Sequence, residues 1–235
     1  MPLPTATSGS IDRVCLFDID GTLISTLRAG LTAMEASLRD VFGVSDRIEA
    51  AQIAGFTDRS IAALLFRKFA IPDTEETWQR FLAGYLDNLP AVLAQRTGHV
   101  LPGIVDLLTL LGTHERTALG LLTGNTAAGA KVKLAHYGIH QHFSFGAFGD
   151  RWLTRNEVAA DALEVVRREV HAEVSPQQII VLGDTPLDVA CARSIGARAV
   201  AVATGIHSVD QLRLSQPDLL LADLADPAPL LALLA

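Results

Sequence analysis

Short apolar segments alternate with longer segments of helical periodicity along most of this chain. The apolar segments predict strands at 14–17, 118–122, 143–145, 179–182 and 199–202, with a weaker candidate at 219–221. Between them, the pattern predicts helices at 104–111, 127–137, 157–170 and 187–195. Strands that alternate with helices in this way are typical of an α/β fold with a parallel sheet.

The segment from residue 25 to residue 98 departs from this alternation, because apolar residues recur there at helical spacing. Leu27, Leu31 and Met34 are one example. Because the segment follows the first strand, we expect an inserted helical cap over the end of that strand. The predicted organisation is a disordered tail at 1–10, a core domain made of 11–24 and 99–235, and a cap domain at 25–98.

Two carboxylates follow the first predicted strand. Asp18 and Asp20 are one residue apart and precede Gly21 and Thr22. Residues i and i+2 of an extended segment point the same way, so both carboxylates converge where open α/β sheets bind ligands. Their repulsion raises both pKa values unless a cation intervenes, and Mg²⁺ takes oxygen ligands. The pair therefore predicts a metal site, although a solvated strand end with a Gly turn would have the same sequence.

Polar residues also follow two later strands. The strand at 118–122 is followed by Thr123-Gly124-Asn125-Thr126, where a hydroxyl and the N–H groups of a helix start predict a phosphate cradle. The strand at 179–182 is followed by Asp184 and Asp188, which would complete a metal site with Asp18. Ordinary helix capping is the alternative interpretation of both stretches.

The composition disfavours some classes of partner. The 235 residues include 19 Lys and Arg and 26 Asp and Glu, a net charge of −7 that argues against nucleic acid and anionic membranes. Residues 1–10 lack signal-peptide features, and no stretch is apolar and long enough to span a membrane. Cys15 and Cys191 are expected to be buried and reduced. We therefore expect a cytoplasmic protein.

Together, these motifs resemble those of a known family. Asp18-Ile19-Asp20-Gly21-Thr22, Thr123-Gly124-Asn125 and the Gly-Asp-Thr-Pro-Leu-Asp stretch at 183–188 are similar to motifs one, two and four of the haloacid dehalogenase superfamily. They occur in the order and spacing of that family. The insert resembles the helical cap of its phosphoglycolate-phosphatase-like members. The resemblance covers the chain after residue 10 and implies a Rossmann-like core with an inserted α-helical cap.

The third motif of the family usually supplies a Lys, and this sequence has none in the corresponding stretch. Arg155 stands at the expected distance before motif four. Arginine keeps the positive charge and can hold a phosphoryl oxygen through two N–H groups. Arg151 is the second candidate. Lys131 and Lys133, on the helix after motif two, are expected to be solvated, and one of them reaching the site is the third candidate.

The resemblance implies a phosphatase that works through an aspartyl-phosphate. Asp18 is then the nucleophile, and Asp20 protonates the leaving alkoxide and later deprotonates water. Mg²⁺ is the implied cofactor, and its implied ligands are Asp18, the backbone carbonyl of Asp20, Asp184 and Asp188. The groups implied to hold the phosphoryl oxygens are Thr123, Gly124, Asn125 and Arg155.

The cap is expected to select the substrate. Its loop at 54–59 resembles the substrate loop of phosphoglycolate-phosphatase-like caps, where Arg59 would meet a substrate carboxylate; a surface arginine at a helix start is the alternative. A helical cap implies a small phosphorylated metabolite as the partner. Phosphoglycolate is the first candidate, while sugar phosphates and nucleotides stay open.

Other functions also stay open at this point. A phosphosugar mutase of the same superfamily keeps both acids, whereas a catalytically silent binding relative would be expected to have lost one. The presence of Asp20 favours hydrolysis. His136, His140 and His142 surround a helix end and suggest a zinc site, but without matching carboxylates. The Leu-rich stretch at 230–234 leaves a homodimer open.

Overall fold

The strands that form the core run parallel in the computed structural model, which describes residues 11–49 and 53–234. The described strands are β1 (Arg13–Phe17), β2 (Ile24–Ser25), β3 (His99–Val100), β4 (Thr117–Leu122), β5 (Phe145–Ala147), β6 (Ile179–Gly183), β7 (Arg198–Val202) and β8 (Leu219–Leu221). Six of these form a sheet in the order β5-β4-β1-β6-β7-β8. The predicted α/β class with a parallel sheet is confirmed. The predicted tail at 1–10 lies outside the described residues.

β1 lies in the middle of the sheet, where both faces are buried. Val14 and Leu16 pack into the apolar cluster on one face, while Cys15 and Phe17 pack into the cluster on the other. Side chains alternate between the faces of a strand, so a continuous apolar run suits this central position. The predicted burial of Cys15 and Cys191 as free thiols is confirmed.

The register of the sheet aligns the carboxyl ends of β1, β4 and β6. Phe17 of β1 is opposite Leu121 of β4 and Leu182 of β6. The backbone N–H of Asp18 then donates to the Leu182 carbonyl at 2.9 Å. The residues that follow β1, β4 and β6 consequently lie at one edge of the sheet, where the sequence places the candidate site.

Several helices begin at threonine caps close to the site. The described helices are α1 (Ala29–Phe42), α2 (Asp58–Lys68), α3 (Glu75–Ala94), α4 (Ile104–Gly112), α5 (Ala127–His136), α6 (Arg155–Glu169), α7 (Pro186–Ser194), α8 (Val209–Leu214) and α9 (Ala228–Leu234). Thr126, Thr154 and Thr185 each accept a backbone N–H three residues later, at the starts of α5, α6 and α7. The Thr154 cap starts α6 two residues earlier than the sequence predicts, and this places Arg155 in the first turn. In contrast, the strand β5 lies two residues later than the sequence predicts.

The insert between β1 and β4 contains α1, α2 and α3, with an apolar cluster of its own that includes Leu38, Phe66 and Phe81. β2 and β3 pair antiparallel where the chain leaves and re-enters the core, with Ile24 opposite Val100. The sequence does not predict these two-residue strands. The exact division between core and cap stays a prediction. In the described part of the chain, no helix has the length and apolar character needed to cross a membrane.

α1 and α3 approach closely at Gly84. A Cβ added to Gly84 would lie 2.7 Å from Ser37 Oγ and 2.9 Å from Val41 Cγ2. The Ser37 hydroxyl donates to the Phe81 carbonyl at 2.6 Å, so this side chain would lose a hydrogen bond if it moved away. Glycine is therefore required here by the packing of two helices.

Gly84→Ala is expected to destabilise the protein by about 1–3 kcal/mol, because overpacking exceeds the gain of about 1 kcal/mol that alanine brings to a helix interior. Gly112→Ala is the matched control, since a Cβ on this last residue of α4 would meet no atom within 4 Å. Urea denaturation followed by circular dichroism measures the free energy of unfolding of each variant. Unchanged or higher stability of Gly84→Ala would contradict the close packing of α1 and α3.

Candidate active site

Three acidic side chains meet where β1 and β6 end. One carboxylate oxygen from each of Asp18, Asp184 and Asp188 lies within 4.8 Å of the others, and all three side chains are buried. Among the described residues, this is the one group of His, Cys, Asp or Glu side chains whose atoms lie close enough to share a metal ion. The sheet edge therefore carries a concentrated negative charge inside the protein.

Arg155 lies between two of these carboxylates. Its Nη1 donates to Asp18 Oδ1 at 3.2 Å, and its Nη2 forms a short ion pair with Asp188 Oδ1. Nη2 also lies 3.4 Å from the Leu122 carbonyl oxygen. Burial lowers the pKa of Arg155, but Asp188 and Asp18 outweigh this effect and raise it. The arginine at the expected motif-three distance is thus placed beside the predicted nucleophile.

Asp184 and Asp188 differ in how many hydrogen bonds and ion pairs their carboxylate oxygens form with the protein. Asp188 Oδ2 accepts from the Thr185 N–H at 3.0 Å and from the Thr185 hydroxyl at 2.7 Å, while its Oδ1 is in the ion pair described above. Asp184 Oδ1 accepts a bond from the Thr22 hydroxyl at 3.3 Å. Burial, followed by Asp188 and Asp18, raises the pKa of Asp184 well above its ordinary value. Asp184 is therefore the more available metal ligand, whereas Asp188 orients the arginine.

The donor set fits a hard divalent cation such as Mg²⁺, which takes carboxylate oxygens. Burial raises the pKa of Asp18 to about 6, although Arg155 opposes the rise. A cation between Asp18 and Asp184 would favour both charged forms. A Cβ on Gly21, whose φ is +84°, would lie 2.5 Å from Asp184 Oδ2, so glycine is needed to leave this carboxylate in place.

Asp20 is held by a separate set of polar contacts. Lys133 Nζ donates to Asp20 Oδ2 at 2.5 Å, and Asn125 Nδ2 donates to the same oxygen at 3.0 Å. The Thr26 hydroxyl donates to Asp20 Oδ1 at 3.2 Å. Burial raises the pKa of Asp20, but Lys133 and these hydrogen bonds outweigh it and lower the pKa overall. Asp20 is consequently a carboxylate at neutral pH.

The prediction that Lys133 is solvated is wrong, because Lys133 is only 4% exposed. Its Nζ also donates to Asn125 Oδ1 at 2.6 Å. Burial lowers the pKa of Lys133, but Asp20 and other nearby carboxylates outweigh it and raise the pKa. The sequence contains a partial signal for this burial, since Lys133 lies three residues after Ala130 and therefore on the same buried face of the helix.

The start of α2 binds the loop after β4 and the segment before α6. The Asp58 N–H donates to the Gly124 carbonyl at 2.7 Å, and the Asp58 carboxylate accepts from the Thr126 N–H at 2.8 Å. The Thr57 hydroxyl donates to the Trp152 carbonyl at 2.7 Å. We call these contacts, from Thr57 and Asp58 to Gly124, Thr126 and Trp152, the cap latch. They hold the insert against the core beside the site.

The cap latch explains why residue 124 is a glycine and gives Asp58 a structural role. A Cβ on Gly124 would collide with the Phe56 carbonyl, so this predicted substrate-binding glycine also lets the cap loop approach. Sequence reasoning missed Asp58 and selected Arg59 beside it. The sequence signal is Thr57, which caps α2 and makes Asp58 the first helical residue. The partner of Asp58 depends on how the insert packs on the core, which the local sequence does not reveal.

Arg59 does not reach the site, which corrects the prediction that it meets the substrate. Its Nη2 lies 2.7 Å from Asp73 Oδ1 and its Nη1 lies 3.4 Å from Asp73 Oδ2. Its guanidinium carbon is 5.4 Å from the centre of the Trp78 ring. The charge of Arg59 is therefore neutralised within the cap. Arg151, the second motif-three candidate, pairs with Asp161 and is also directed elsewhere.

The remaining candidates also lie apart from the site. Lys131 is exposed on α5. His136, His140 and His142 do not bring their ring nitrogens together with enough other ligands to form a metal-binding group within the described residues. The geometry consequently gives no support to the zinc hypothesis.

A cavity of about 410 Å³ separates the insert from the core and opens onto these groups. Its polar end is lined by Asp18, Asp20, Asn125, Lys133, Arg155 and Asp184. Thr123 lies buried behind this lining, where its hydroxyl donates to Asp18 and accepts from the Asn125 backbone N–H at 3.2 Å. The structure thus gathers a buried carboxylate pair, a guanidinium and a third acidic side chain around one cavity, an arrangement suited to the chemistry of an anionic substrate.

The family comparison agrees with this geometry. The family described as haloacid dehalogenase-like hydrolase matches residues 15–202, a stretch that begins in β1 and ends with β7. The chain belongs to this family. The resemblance inferred from the motifs is confirmed, and the haloacid dehalogenase-like hydrolase is an enzyme.

Relatives of this haloacid dehalogenase-like hydrolase match nearly all of its length. It is 28% identical over 218 residues to the phosphoglycolate phosphatase of Synechococcus elongatus, which covers 91% of this chain and 94% of that protein. It is 27% identical over 208 residues to the probable phosphatase IndB of Dickeya dadantii, with 87% of each chain covered. The solved structure of CbbY from Rhodobacter sphaeroides in complex with phosphate matches with a TM-score of 0.72 at 18% identity, over 92% of this chain and 96% of that one. The latter likeness shows the shared fold.

The buried carboxylate of the cap latch makes the stability of this hydrolase depend on pH. Burial raises the pKa of Asp58 to about 6, against the opposing effects of Lys133 and the Thr126 N–H. Its ordinary value is 3.8, so between these values the folded state keeps a proton that the unfolded state has lost. This group therefore removes about 2–3 kcal/mol of stability as the pH rises from 4 to 7.

Asp58→Asn lacks this titration and keeps a side-chain oxygen that can accept from Thr126. The free energy of unfolding of Asp58→Asn minus that of the wild type should therefore increase from pH 4 to pH 7. Urea denaturation of both proteins across this range measures the difference, in which titrations common to both proteins cancel. A difference that does not change with pH would contradict the raised pKa.

Proposed function

We propose that this enzyme is a Mg²⁺-dependent phosphatase that cleaves a small phosphate monoester through an aspartyl-phosphate intermediate. The single observation that best supports this is the buried Asp18 carboxylate at the polar end of the cavity, which is bonded to Arg155 and lies within 4.8 Å of Asp184. Phosphoryl transfer needs a nucleophile and positive charge around the phosphoryl oxygens. The hydrolase family and the curated relatives named phosphatases agree that the enzyme is a phosphoric monoester hydrolase.

Asp18 is the proposed nucleophile. Arg155 donates to its Oδ1, and the Thr123 hydroxyl donates to the same carboxylate, so the group is fixed at the end of β1. Its pKa, raised by burial to about 6, leaves it ionised at neutral pH. Attack by a carboxylate oxygen on phosphorus breaks the bond to the ester oxygen and leaves the phosphoryl group on Asp18.

Asp20 is the proposed general acid and base. Its contacts with Lys133, Asn125 and Thr26 hold the carboxylate in the same cavity as Asp18. Because Asp20 is a carboxylate in the free enzyme, it first takes the proton of a monoester bound as its monoanion and gives this proton to the departing ester oxygen. The carboxylate then takes a proton from the attacking water and passes it to the phosphate that is released. Cleavage of the bond between phosphorus and Asp18 releases inorganic phosphate and restores both side chains.

Arg155 and the loop after β4 are proposed to hold the phosphoryl oxygens. Arg155 Nε is buried and has no hydrogen-bond partner among the described residues, although the other two nitrogens are bonded. Thr123 and Gly124 lie at the end of β4 beside it. Asn125 Nδ2 already donates to Thr123 Oγ1 at 2.9 Å and to Asp20, so its proposed part is to position these groups around the substrate.

The proposed Mg²⁺ ligands are Asp18, Asp184 and the backbone carbonyl of Asp20, with Asp188 supporting them through its ion pair. When bound, the ion supplies positive charge that reduces the repulsion between a carboxylate nucleophile and an anionic phosphate. The support for this part of the proposal is the charge balance, because one guanidinium faces three buried carboxylates in the trio.

A small, diffusible ester fits a cavity that lies beneath an inserted helical cap. Because several curated relatives are named phosphoglycolate phosphatase, phosphoglycolate belongs in the first panel of esters to be tested. A phosphosugar mutase would use the same two acids, but it would return the phosphoryl group to the sugar instead of releasing phosphate.

Phosphate release from a panel of phosphate monoesters is expected to need both Mg²⁺ and Asp18. Asp18→Asn should lower kcat by at least ~10³-fold, since the amide is a poor nucleophile. Asp87→Asn, an exposed position on α3, is the matched control and should keep wild-type activity. Circular dichroism verifies the fold of both variants. Release that survives in Asp18→Asn would contradict the proposal, and isomerised sugar phosphate without free phosphate would favour a mutase.

Asp20→Asn is expected to separate good leaving groups from poor ones. p-Nitrophenolate can leave without being protonated, whereas an alkoxide needs a proton. In the first half-reaction, Asp20→Asn should therefore lose about 10²–10⁴-fold more rate with an alkyl phosphate than with p-nitrophenyl phosphate. The variant also lacks the base for the second half-reaction. Enzyme phosphorylated on Asp18 should therefore accumulate with p-nitrophenyl phosphate, which mass spectrometry of the Asp18 peptide detects. Equal losses for both esters without trapped enzyme would rule out the acid–base role.

A further inference from the structure

Part of the cavity lining that the insert supplies is an apolar wall, formed by Leu31 and Met34 on α1 and Ile61 on α2. The insert also contributes the polar residues Arg28, Asp58 and Tyr85 to the lining. Met34 and Ile61 are buried, and Leu31 is half-buried. These side chains offer no charge and no strong hydrogen-bonding group, so they favour contact with a hydrocarbon surface.

The mouth of the cavity is apolar as well. Leu27, Phe56 and Ile206 line it and are 45%, 39% and 62% exposed. They come from three segments of the chain, namely the start of the insert, the loop before α2 and the loop after β7. Single exposed apolar residues are common on protein surfaces, but three that converge on one opening form a patch that a bound apolar group would cover.

The described residues that line the cavity include three cations, and each already has an acidic neighbour. Arg155 and Lys133 pair with the aspartates of the polar end. Arg28 Nη2 donates to the Ile48 carbonyl at 2.8 Å and lies 3.7 Å from Glu35 Oε1. A second anionic group on the substrate would thus find no uncommitted positive charge among these residues.

The cavity is also larger than the ester of a two-carbon acid needs. Its volume of about 410 Å³ equals the liquid volume of about 14 water molecules. The phosphoryl group takes up only the polar end. The remaining space lies between Leu31, Met34 and Ile61 on one side and the exposed apolar mouth on the other.

We propose that the organic group of the substrate is uncharged and mainly apolar, an alkyl or aryl group seated between the apolar wall and the apolar mouth. This inference rests on the proposed function, because it concerns the leaving group of the same phosphatase reaction. It distinguishes the enzyme from one that prefers a phosphorylated carboxylic acid such as phosphoglycolate. The apolar side chains and the proposed catalytic groups line one cavity, so a single ester can contact both sets at once.

A homologous series of n-alkyl phosphates tests the inference, because ethyl, butyl and hexyl phosphate differ in apolar length and hardly in leaving-group basicity. Burial of one methylene increases an affinity by a factor of about four. We expect kcat/KM to rise by about two- to fourfold per methylene along the series. Phosphoglycolate and phosphoethanolamine are the anionic and cationic members of the panel, and each should have a kcat/KM at least about tenfold below that of hexyl phosphate.

Ile206→Ser and Leu214→Ser form a matched pair of variants. Both replace an exposed apolar side chain, but only Ile206 lines the cavity, whereas Leu214 is 85% exposed at the end of α8. Surface substitutions of this kind rarely affect folding. Ile206→Ser should lower the ratio of kcat/KM for hexyl phosphate to that for phosphoglycolate by about three- to tenfold, mainly through KM. Leu214→Ser should leave this ratio unchanged.

The outcomes separate this inference from the proposed function. If no ester, including p-nitrophenyl phosphate, releases phosphate, the phosphatase proposal fails and this inference fails with it. If the esters are hydrolysed but kcat/KM is flat or falls along the alkyl series, the inference is wrong while the phosphatase proposal stands. A preference for phosphoglycolate or phosphoethanolamine would overturn it in favour of a charged organic group.

Discussion

The ion pairs of Arg155 are the interaction on which the rest of the site depends. Asp18, Asp184 and Asp188 are buried close together, and their repulsion would oppose folding if no cation lay among them. Arg155 compensates two of the three, and it is in place because α6 starts at the Thr154 cap. Loss of one partner from a buried ion pair commonly costs about 3–5 kcal/mol, so removal of this arginine is expected to destabilise the fold as well as the proposed substrate site. The charge that it leaves uncompensated at Asp184 makes the sheet edge receptive to a metal ion.

The two acids of the site are held by different parts of the molecule. Asp18 extends from a central strand whose neighbours are fixed on both sides by the register of the sheet. Asp20 is held from α5, because Lys133 lies on that helix. Thr126, which caps the start of the same helix, donates its N–H to Asp58 in the cap latch. The position of the insert and the position of Asp20, the proposed acid–base group, are thus coupled through one short helix. The strand that carries Asp18, the proposed nucleophile, does not depend on this helix.

Sequence reasoning works well where the site follows from the sheet. Asp18 and Asp184 each follow an apolar strand, and parallel strands bring their carboxyl ends to one edge, so the convergence of these residues is predictable from periodicity alone. It works less well for side-chain contacts between segments that are distant along the chain. Lys133 is buried because Asp20 and Asn125 face it, and Arg59 is unavailable because Asp73 lies beside it in the folded insert. Neither partnership follows from local pattern, since each joins segments whose relative placement is decided by packing.

Main-chain groups provide part of the attachment of the insert to the core, and this has a consequence for how such an enzyme changes over evolutionary time. Beside the side-chain contacts of Thr57 and Asp58, the N–H groups of Asp58 and Arg59 donate to the carbonyls of Gly124 and Gly149. These two main-chain bonds do not depend on which side chains residues 58 and 59 carry. The residues that face the cavity from α1 and α2 can therefore change while the insert stays attached to the core. Divergence of substrate preference and preservation of the catalytic machinery are, in this architecture, separable events.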